Sequence, residues 1–280
     1  MGGNRLKAKI NYKNLLIHVI LIVGAFIMII PFFWMISTSL KTYSESMQVP
    51  PTIIPKSFQF SNFSEVFEKV NFLTYYWNTI LMTMGRTIGQ LFFCSLTAFA
   101  FARMNFKGKN VLFVLILSVL MVPSQIVMIP SFVVMREFGW IDTFYALITP
   151  GIFSAFGVFL LRQFFMSIPR ELDEAAKIDG CSFFGIYWRI ILPLSKPAMI
   201  ALAIFAIIST WNDFMWPLIV TNSDDMRVLS IGIASFQGQY NTQYPLLMAG
   251  ALMATAPMIV VFMFLQKYFI QGIALTGSKG

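Results

Sequence analysis

Catalysis and metal binding both need several reactive side chains close together, and this 280-residue sequence keeps its few apart. The only histidine, His18, sits inside a long apolar run. Cys94 and Cys181 lie in different segments, one apolar and one charged, so neither a disulfide nor a Cys/His metal centre is expected. No Gly-x-x-x-x-Gly-Lys-Ser/Thr run is present to cradle nucleotide phosphates, and nothing resembles a catalytic triad. The chain is therefore expected to break no bond and to bind no cofactor itself. Its chemistry is polar and mechanical. One constellation is a charged, helix-capable loop, Glu174-Ala175-Ala176-Lys177-Ile178-Asp179-Gly180, followed by Ile190-Ile191-Leu192-Pro193. The other is a pair of charges, Arg86 and Asp213, each embedded in an apolar segment.

The elements that position these residues are membrane helices. The composition is 58% apolar and 11% charged, where a soluble domain carries about 25% charged residues. Apolar runs of more than about 18 residues can cross a hydrocarbon core of roughly 30 Å. Such runs are Leu15–Ser37, Tyr75–Ala102, Val111–Met135, Phe144–Phe165, Ala198–Val220 and Pro245–Phe269. The expected fold class is all-α, a polytopic membrane protein with six transmembrane helices occupying residues 15–270. The first run is longer than a signal-peptide core and no Ala-x-Ala site follows, so it reads as a retained anchor.

Alternating the spans across a bilayer puts Arg5, Lys7, Lys9, Lys13, Arg103, Lys107, Lys109, Arg162, Arg170, Lys177, Arg189, Lys196, Lys267 and Lys279 on one side. Only Lys41, Lys56, Lys69, Arg136 and Arg227 fall on the other. This is the positive-inside bias, which places residues 1–14, the loop 167–196 and the tail 271–280 in the cytoplasm. The net charge of +8 thus reflects orientation, and no nucleic-acid partner is expected. On the outer side, Pro50, Pro51 and Pro55 force extended backbone. Phe63, Val66, Phe67 and Val70 then recur at helical spacing, an amphipathic helix for the membrane surface or for a docked partner. Pro31, Pro123, Pro130, Pro150, Pro217 and Pro257 interrupt the spans. Either the helices bend around a pathway, or these prolines reflect their ordinary frequency in membrane helices.

In the loop, Glu171, Asp173 and Glu174 load the start of a helix with negative charge that its dipole favours, and Pro169 suits its first turn. Gly180 suits a left-handed C-terminal cap. Leu172, Ala175, Ala176 and Asp179 share a face in which small alanines permit close docking. Ser182 caps a second helix bearing Phe184, Tyr187, Trp188 and Ile191, which Pro193 and Pro197 end. Packing on the inner ends of the spans satisfies part of this apolar face, and a soluble partner better explains the alanine-and-carboxylate face.

The run Glu174-Ala175-Ala176-x-x-Asp179-Gly180, then Ile190-x-Leu192-Pro193, resembles the EAA loop of bacterial ATP-binding-cassette (ABC) importer permeases, with every hallmark position filled. Ile30-Pro31-Phe32-Phe33-Trp34, Thr38-Ser39-Leu40-Lys41, Trp211-Asn212-Asp213-Phe214 and Gln266-Lys267-Tyr268-Phe269 are similar to the smaller permease of maltose-type carbohydrate importers. The likeness covers essentially the whole chain. It implies the type I ABC importer permease (MetI-like) fold in a bacterial cell membrane. Glu174, Ala175, Ala176, Asp179, Gly180, Ile190, Leu192 and Pro193 would couple to a cytoplasmic ATPase homodimer that holds the ATP and Mg. Gly277, Ser278, Lys279 and Gly280 would reach between its subunits. A second, related permease would complete a heterodimer, and an extracytoplasmic sugar-binding protein would deliver an oligosaccharide. The loop is shared across substrate classes, so a non-carbohydrate solute also fits.

Charges inside a bilayer are costly and mark pathways or packing contacts. Arg86 and Asp213 both fall in the outer half or near the middle of their spans, where they form an ion pair or touch the solute. Gln90, Trp211, Asn212, Trp216 and Gln125 are further pathway candidates, because sugars are held by aromatic faces and amides. An ion-coupled carrier would need several intramembrane carboxylates, and Asp213 alone qualifies.

Overall fold

The computed structural model describes residues 12–238 and 241–277. Among them the chain is helical, with one isolated antiparallel bridge between Gln237 and Thr242. The described residues divide into two compact units, one lying within 1–68 and 236–253, the other within 69–235 and 254–280.

In the first unit, α1 (Tyr12–Ser39) is apolar on all sides, and its large side chains from Leu16 to Phe33 are exposed, as a lipid-facing helix requires. Pro31 is accommodated within it. The turn that follows is tied by polar contacts. Thr42 caps α2 (Tyr43–Ser46), and Glu45 Oε1 accepts from Thr52 Oγ1 at 2.9 Å and from Lys56 N at 3.0 Å. Lys41 is buried, its ammonium 4.6 Å from the centre of the Trp34 ring and donating to Thr52 O. Asn62, on α3 (Ser61–Lys69), donates to the carbonyls of Ser39 and Lys41 at 2.8 and 2.9 Å. The amphipathic helix expected here is present, with Val66 buried.

The second unit is organised by α4 (Phe72–Arg103), about 48 Å long at 1.5 Å per residue. Three expected spans are not single helices. Val111–Met135 is divided into α5 (Lys109–Ser118), a 3-10 turn at Val119–Met121, and α6 (Ser124–Glu137), with a 102° bend. Pro123 causes it: Val122 before it is extended and cannot continue the helix. Phe144–Phe165 is α7 (Phe144–Ile148), a 3-10 turn at Thr149–Gly151 carrying Pro150, and α8 (Ala155–Ser167), bent by 41°. The connection to the next span contains α9 (Glu171–Ile178), α10 (Phe183–Ile186), a π-helical turn (Tyr187–Ile191) and α11 (Leu192–Leu194). Ala198–Val220 is α12 (Lys196–Trp211) and α13 (Met215–Val220), separated at residues 212–214. The short α14 (Leu229–Ala234) follows. Finally α15 (Tyr244–Gly277) begins in the first unit, accommodates Pro257 and runs to Gly277 without a break where the tail was expected to start.

Among the described residues two helices, Leu16–Ser39 and Tyr244–Phe264, are each apolar and long enough to cross a membrane, and counting each bent pair as one span raises the number to as many as five. The core of the second unit is α4 against α8 and α12. Cys94, Ala98, Phe99, Val158, Leu161, Phe165 and Leu202 fill it at one end, and Met82, Leu147, Trp216, Val220 and Ile231 at the other. Close approach depends on Gly89, where a Cβ would lie 2.6 Å from Ile152 Cβ and 3.1 Å from its Cα. Gly89→Ala should therefore lower stability by about 1–3 kcal/mol through overpacking. Gly24→Ala, facing open space on α1, should be neutral or stabilising. Melting temperatures in detergent separate the two; equal effects would refute the packing argument.

Asp142 latches the turn before α7 to the end of α13. Its φ is +62°, its N–H donates to Val220 O at 2.8 Å, and its Oδ1 accepts from the N–H groups of Asn222 and Ser223 at 2.8 and 3.0 Å. Burial pushes this carboxyl up, but the Asn222 and Ser223 donors outweigh it and hold the carboxyl below its ordinary range. A lowered folded pKa contributes stability above the unfolded value and loses it as pH falls through the folded one. Asp142→Asn, which keeps the backbone conformation accessible, should melt below the parent at neutral pH. The gap should close as pH falls below about 4; a pH-independent gap would contradict the linkage.

A candidate coupling surface and a polar brace

The loop helix α9 is short, so its position depends on what holds it. Its first turn carries Glu171, Asp173 and Glu174, and Lys177 lies in its last, both favourable to the helix dipole. Pro169 falls just before the Arg170 cap and outside the first turn where it was expected. Gly180 takes φ +81°, and the Cys181 N–H donates to Ala176 O while the Gly180 N–H donates to Lys177 O. This is the left-handed cap the sequence predicted, as a Schellman motif.

Two contacts set the rotation of α9. Asp173 Oδ2 lies 3.2 Å from Arg103 Nε at the end of α4, with side chains only 11% and 3% exposed. Arg103 Nη2 also donates to Ile168 O at 2.8 Å. Ala176 is buried in the core cluster. The face expected from spacing is thereby corrected: Ala176 points inward, because the Arg103 pair turns the helix that way. Exposed instead are Glu174, Ala175, Asp179 and Gly180 with Ile178, which is 86% exposed. Spacing assigns Asp173 only to the helix dipole and gives Ile178 no role, since the Arg103 partner is remote in sequence and an isoleucine does not stand out by type.

The second segment divides similarly. Ser182 Oγ accepts from the Gly185 N–H at 3.2 Å, the expected cap. Tyr187 and Ile191 are buried, Tyr187 OH sharing a hydrogen bond with Ser95 Oγ at 2.7 Å and its ring 5.3 Å from that of Phe99. Phe184 and Trp188 stay exposed, so the four residues do not form one buried face. Ile190 and Leu192 are half-buried and Pro193 is exposed. Pro193 sits in the first turn of α11 and does not end the helix, whose break comes at Ser195. The loop is thus fastened to α4, α8 and α12 on one side and bare on the other. Gly277 ends α15, and Ser278, Lys279 and Gly280 lie outside the described residues.

Inside the helices, the expected pair is present. Arg86 Nη1 lies 2.8 Å from Asp213 Oδ2. The same arginine donates Nε–H to Leu147 O at 2.7 Å, Gln90 donates to Gly151 O at 2.8 Å, and Trp216 Nε1 donates to Ala146 O at 2.9 Å. Ser154 N–H donates to Cys94 Sγ, which returns a contact to Ser154 O. Apart from Cys94 Sγ on α4, every acceptor in this set belongs to the broken segment around Pro150 or to the break after Trp211. A helix interrupted within a bilayer frees carbonyls that lipid cannot satisfy, and α4 and α13 supply the missing partners. Arg86 lies against Gly151, where a Cβ would come within 2.3 Å of Arg86 Cδ. Asp213 retains 22% side-chain exposure, Trp211 is half-buried with Nε1 donating to Ala254 O at 3.1 Å, and Asn212 and Gln125 are exposed.

A family profile described as "Binding-protein-dependent transport system inner membrane component" matches residues 90–275. The chain is 37% identical over 259 residues to the arabinooligosaccharides transport system permease protein AraQ of Halalkalibacterium halodurans, covering 91% of this chain and 93% of that one. It is 32% identical over 254 residues to the lactose transport system permease protein LacG of Rhizobium radiobacter, covering 91% and 92%. It is 32% identical over 273 residues to the sn-glycerol-3-phosphate permease UgpE of Brucella suis, covering 94% and 97%. The fold is similar to that of a chain in a bacterial ABC transporter that imports alginate, with a TM-score of 0.80 at 24% identity over 92% of this chain and 96% of that one.

Proposed function

The chain belongs to the family of binding-protein-dependent transport system inner membrane components, and from that membership we propose that it carries an oligosaccharide across the bacterial cell membrane. It is the non-catalytic permease of an ABC importer. A cytoplasmic ATPase homodimer supplies the energy, a second related permease completes the pathway, and an extracytoplasmic binding protein delivers the sugar. Six spans and cytoplasmic termini suit the charge distribution, with residues 15–270 as the permease domain.

The observation that carries the coupling is that α9 is fastened on one face and bare on the other. Asp173 and Ala176 lock it to the membrane helices, while Glu174, Ala175, Ile178 and Asp179 are offered outward. A helix so mounted transmits a push from an ATPase groove directly to α4, α8 and α12. Gly180, Ile190, Leu192 and Pro193 complete the loop's shape, and the tail residues Gly277, Ser278, Lys279 and Gly280 are further candidates for contact with the ATPase. Among the pathway candidates, Arg86, Gln90 and Trp216 brace broken backbone, whereas Trp211, Asn212 and the open edge of Asp213 remain available to a solute. The arabinooligosaccharide and lactose relatives favour a sugar, and the glycerol phosphate relative keeps a phosphorylated polyol as the second reading.

Proteoliposomes containing the assembled importer should take up arabinooligosaccharide with ATP and binding protein, falling to background without ATP. Uptake on an ion gradient alone would overturn the reading. A thermal-shift screen of the partner binding protein should respond to oligosaccharides; a response to glycerol 3-phosphate alone would select the second reading.

A further inference from the structure

Lys109, Arg162 and Arg170 come from three separate segments and line one open cleft of about 510 Å³ at the end of the second unit that carries α9. No aspartate or glutamate lines it; its other polar residues are Asn105 and Asn110. Two of the three cations are held in place. Lys109 Nζ donates to Met104 O at 2.7 Å. Arg162 Nε donates to Phe101 O at 3.3 Å, and its guanidinium lies 4.0 Å from the centre of the Phe113 ring. Each keeps further N–H donors, and among the described residues none of the three has a carboxylate partner. Three like charges sharing a cleft repel one another, and an anion relieves that repulsion. The cleft also sits at the start of α5, whose first N–H groups add to the positive potential.

We propose that this cleft binds the phosphate headgroup of an anionic glycerophospholipid in the leaflet at the coupling end. Phosphate suits the donors, since arginine and lysine N–H groups recognise its oxygens. The apolar flank selects a lipid over free phosphate. Phe106, Val111 and Met166 line the same cleft and are exposed. Beyond Val111, the exposed Leu112 and Leu115 continue along α5, which opens one of the bent pairs apolar enough to cross a bilayer. A headgroup in the cleft would therefore lay its acyl chains along α5.

The test uses the purified full-length chain in detergent, with phosphatidylglycerol or phosphatidylcholine added and bound lipid counted by native mass spectrometry. The parent should prefer phosphatidylglycerol, and K109Q/R170Q should reduce that preference roughly thirty-fold, each basic group contributing about a factor of five. R189Q, exposed on the neighbouring loop outside the cleft, should leave the preference unchanged. If the double variant does not fold, R170Q alone should show roughly a five-fold loss. An unchanged preference in these variants overturns the site. Displacement of the lipid from the parent by excess inorganic phosphate overturns the lipid assignment in favour of a free phosphate ion, while retention supports it.

Discussion

Glu174→Lys and Ile178→Asp are each expected to abolish co-purification of the ATP-binding partner while leaving the permease folded. Both side chains lie on the exposed half of α9. Surface substitutions away from buried features shift stability by about 0.5 kcal/mol or less. An interface anchor seated in a groove is worth about 2 kcal/mol or more, so ATPase affinity should fall roughly thirty-fold. ATP-driven uptake should fall with it. Asp173→Ala, one position away, should do the reverse. It leaves Arg103 buried without its carboxylate, costing about 2–4 kcal/mol of stability before any effect on docking is read. Binding isotherms with the purified ATPase, paired with melting curves, separate the cases. Undiminished ATPase binding by the Glu174 and Ile178 variants would remove α9 from the coupling interface.

The second large effect is expected inside the helices. Arg86→Met removes the partner of Asp213 and the donor to Leu147 O together, and should cost about 3 kcal/mol, since a half-buried charge and a buried carbonyl are both left unmet. Asp213→Asn should cost less, because its side chain keeps some exposure and Asn still accepts from Arg86. The double variant should be little worse than Arg86→Met alone, a coupling of more than about 1 kcal/mol in a double-mutant cycle. Strict additivity would show that the pair does not interact energetically. A reciprocal exchange of the two charges is not expected to restore stability, even though it preserves an ion pair. Aspartate at position 86 cannot donate to Leu147 O, nor cover Gly151 as the arginine stem does.

Much of this was legible along the chain. Long apolar runs announce helices because lipid offers no hydrogen bonds and the backbone must satisfy itself. Both helix caps of the loop followed from local chemistry: Gly180 because it tolerates a positive φ, Ser182 because its hydroxyl meets a free N–H. The resemblance of the Glu174–Pro193 stretch also rested on adjacent residues. Prolines were less informative. Pro31, Pro130 and Pro257 lie within continuous helices, whereas Pro123 and Pro150 accompany sharp breaks. A proline's outcome depends on which neighbours receive the freed carbonyl, and those are distant in sequence.

The orientation of each functional side chain belonged to that distant part. Arg86 meets Leu147 across 61 positions and Asp213 across 127, and Arg103 meets Asp173 across a comparable gap. Periodicity states which residues share a face of α9, yet it is indifferent to which face is turned inward. Local spacing sets the hydrogen bonds and helical phase within an element, so the residues alone settled the all-helical class and the caps, and their resemblance to a known family gave the kind of machine. Docking one helix on another trades burial against ion pairing between remote groups, and that balance turned Ala176 inward, left Ile178 bare and made pathway candidates into a brace.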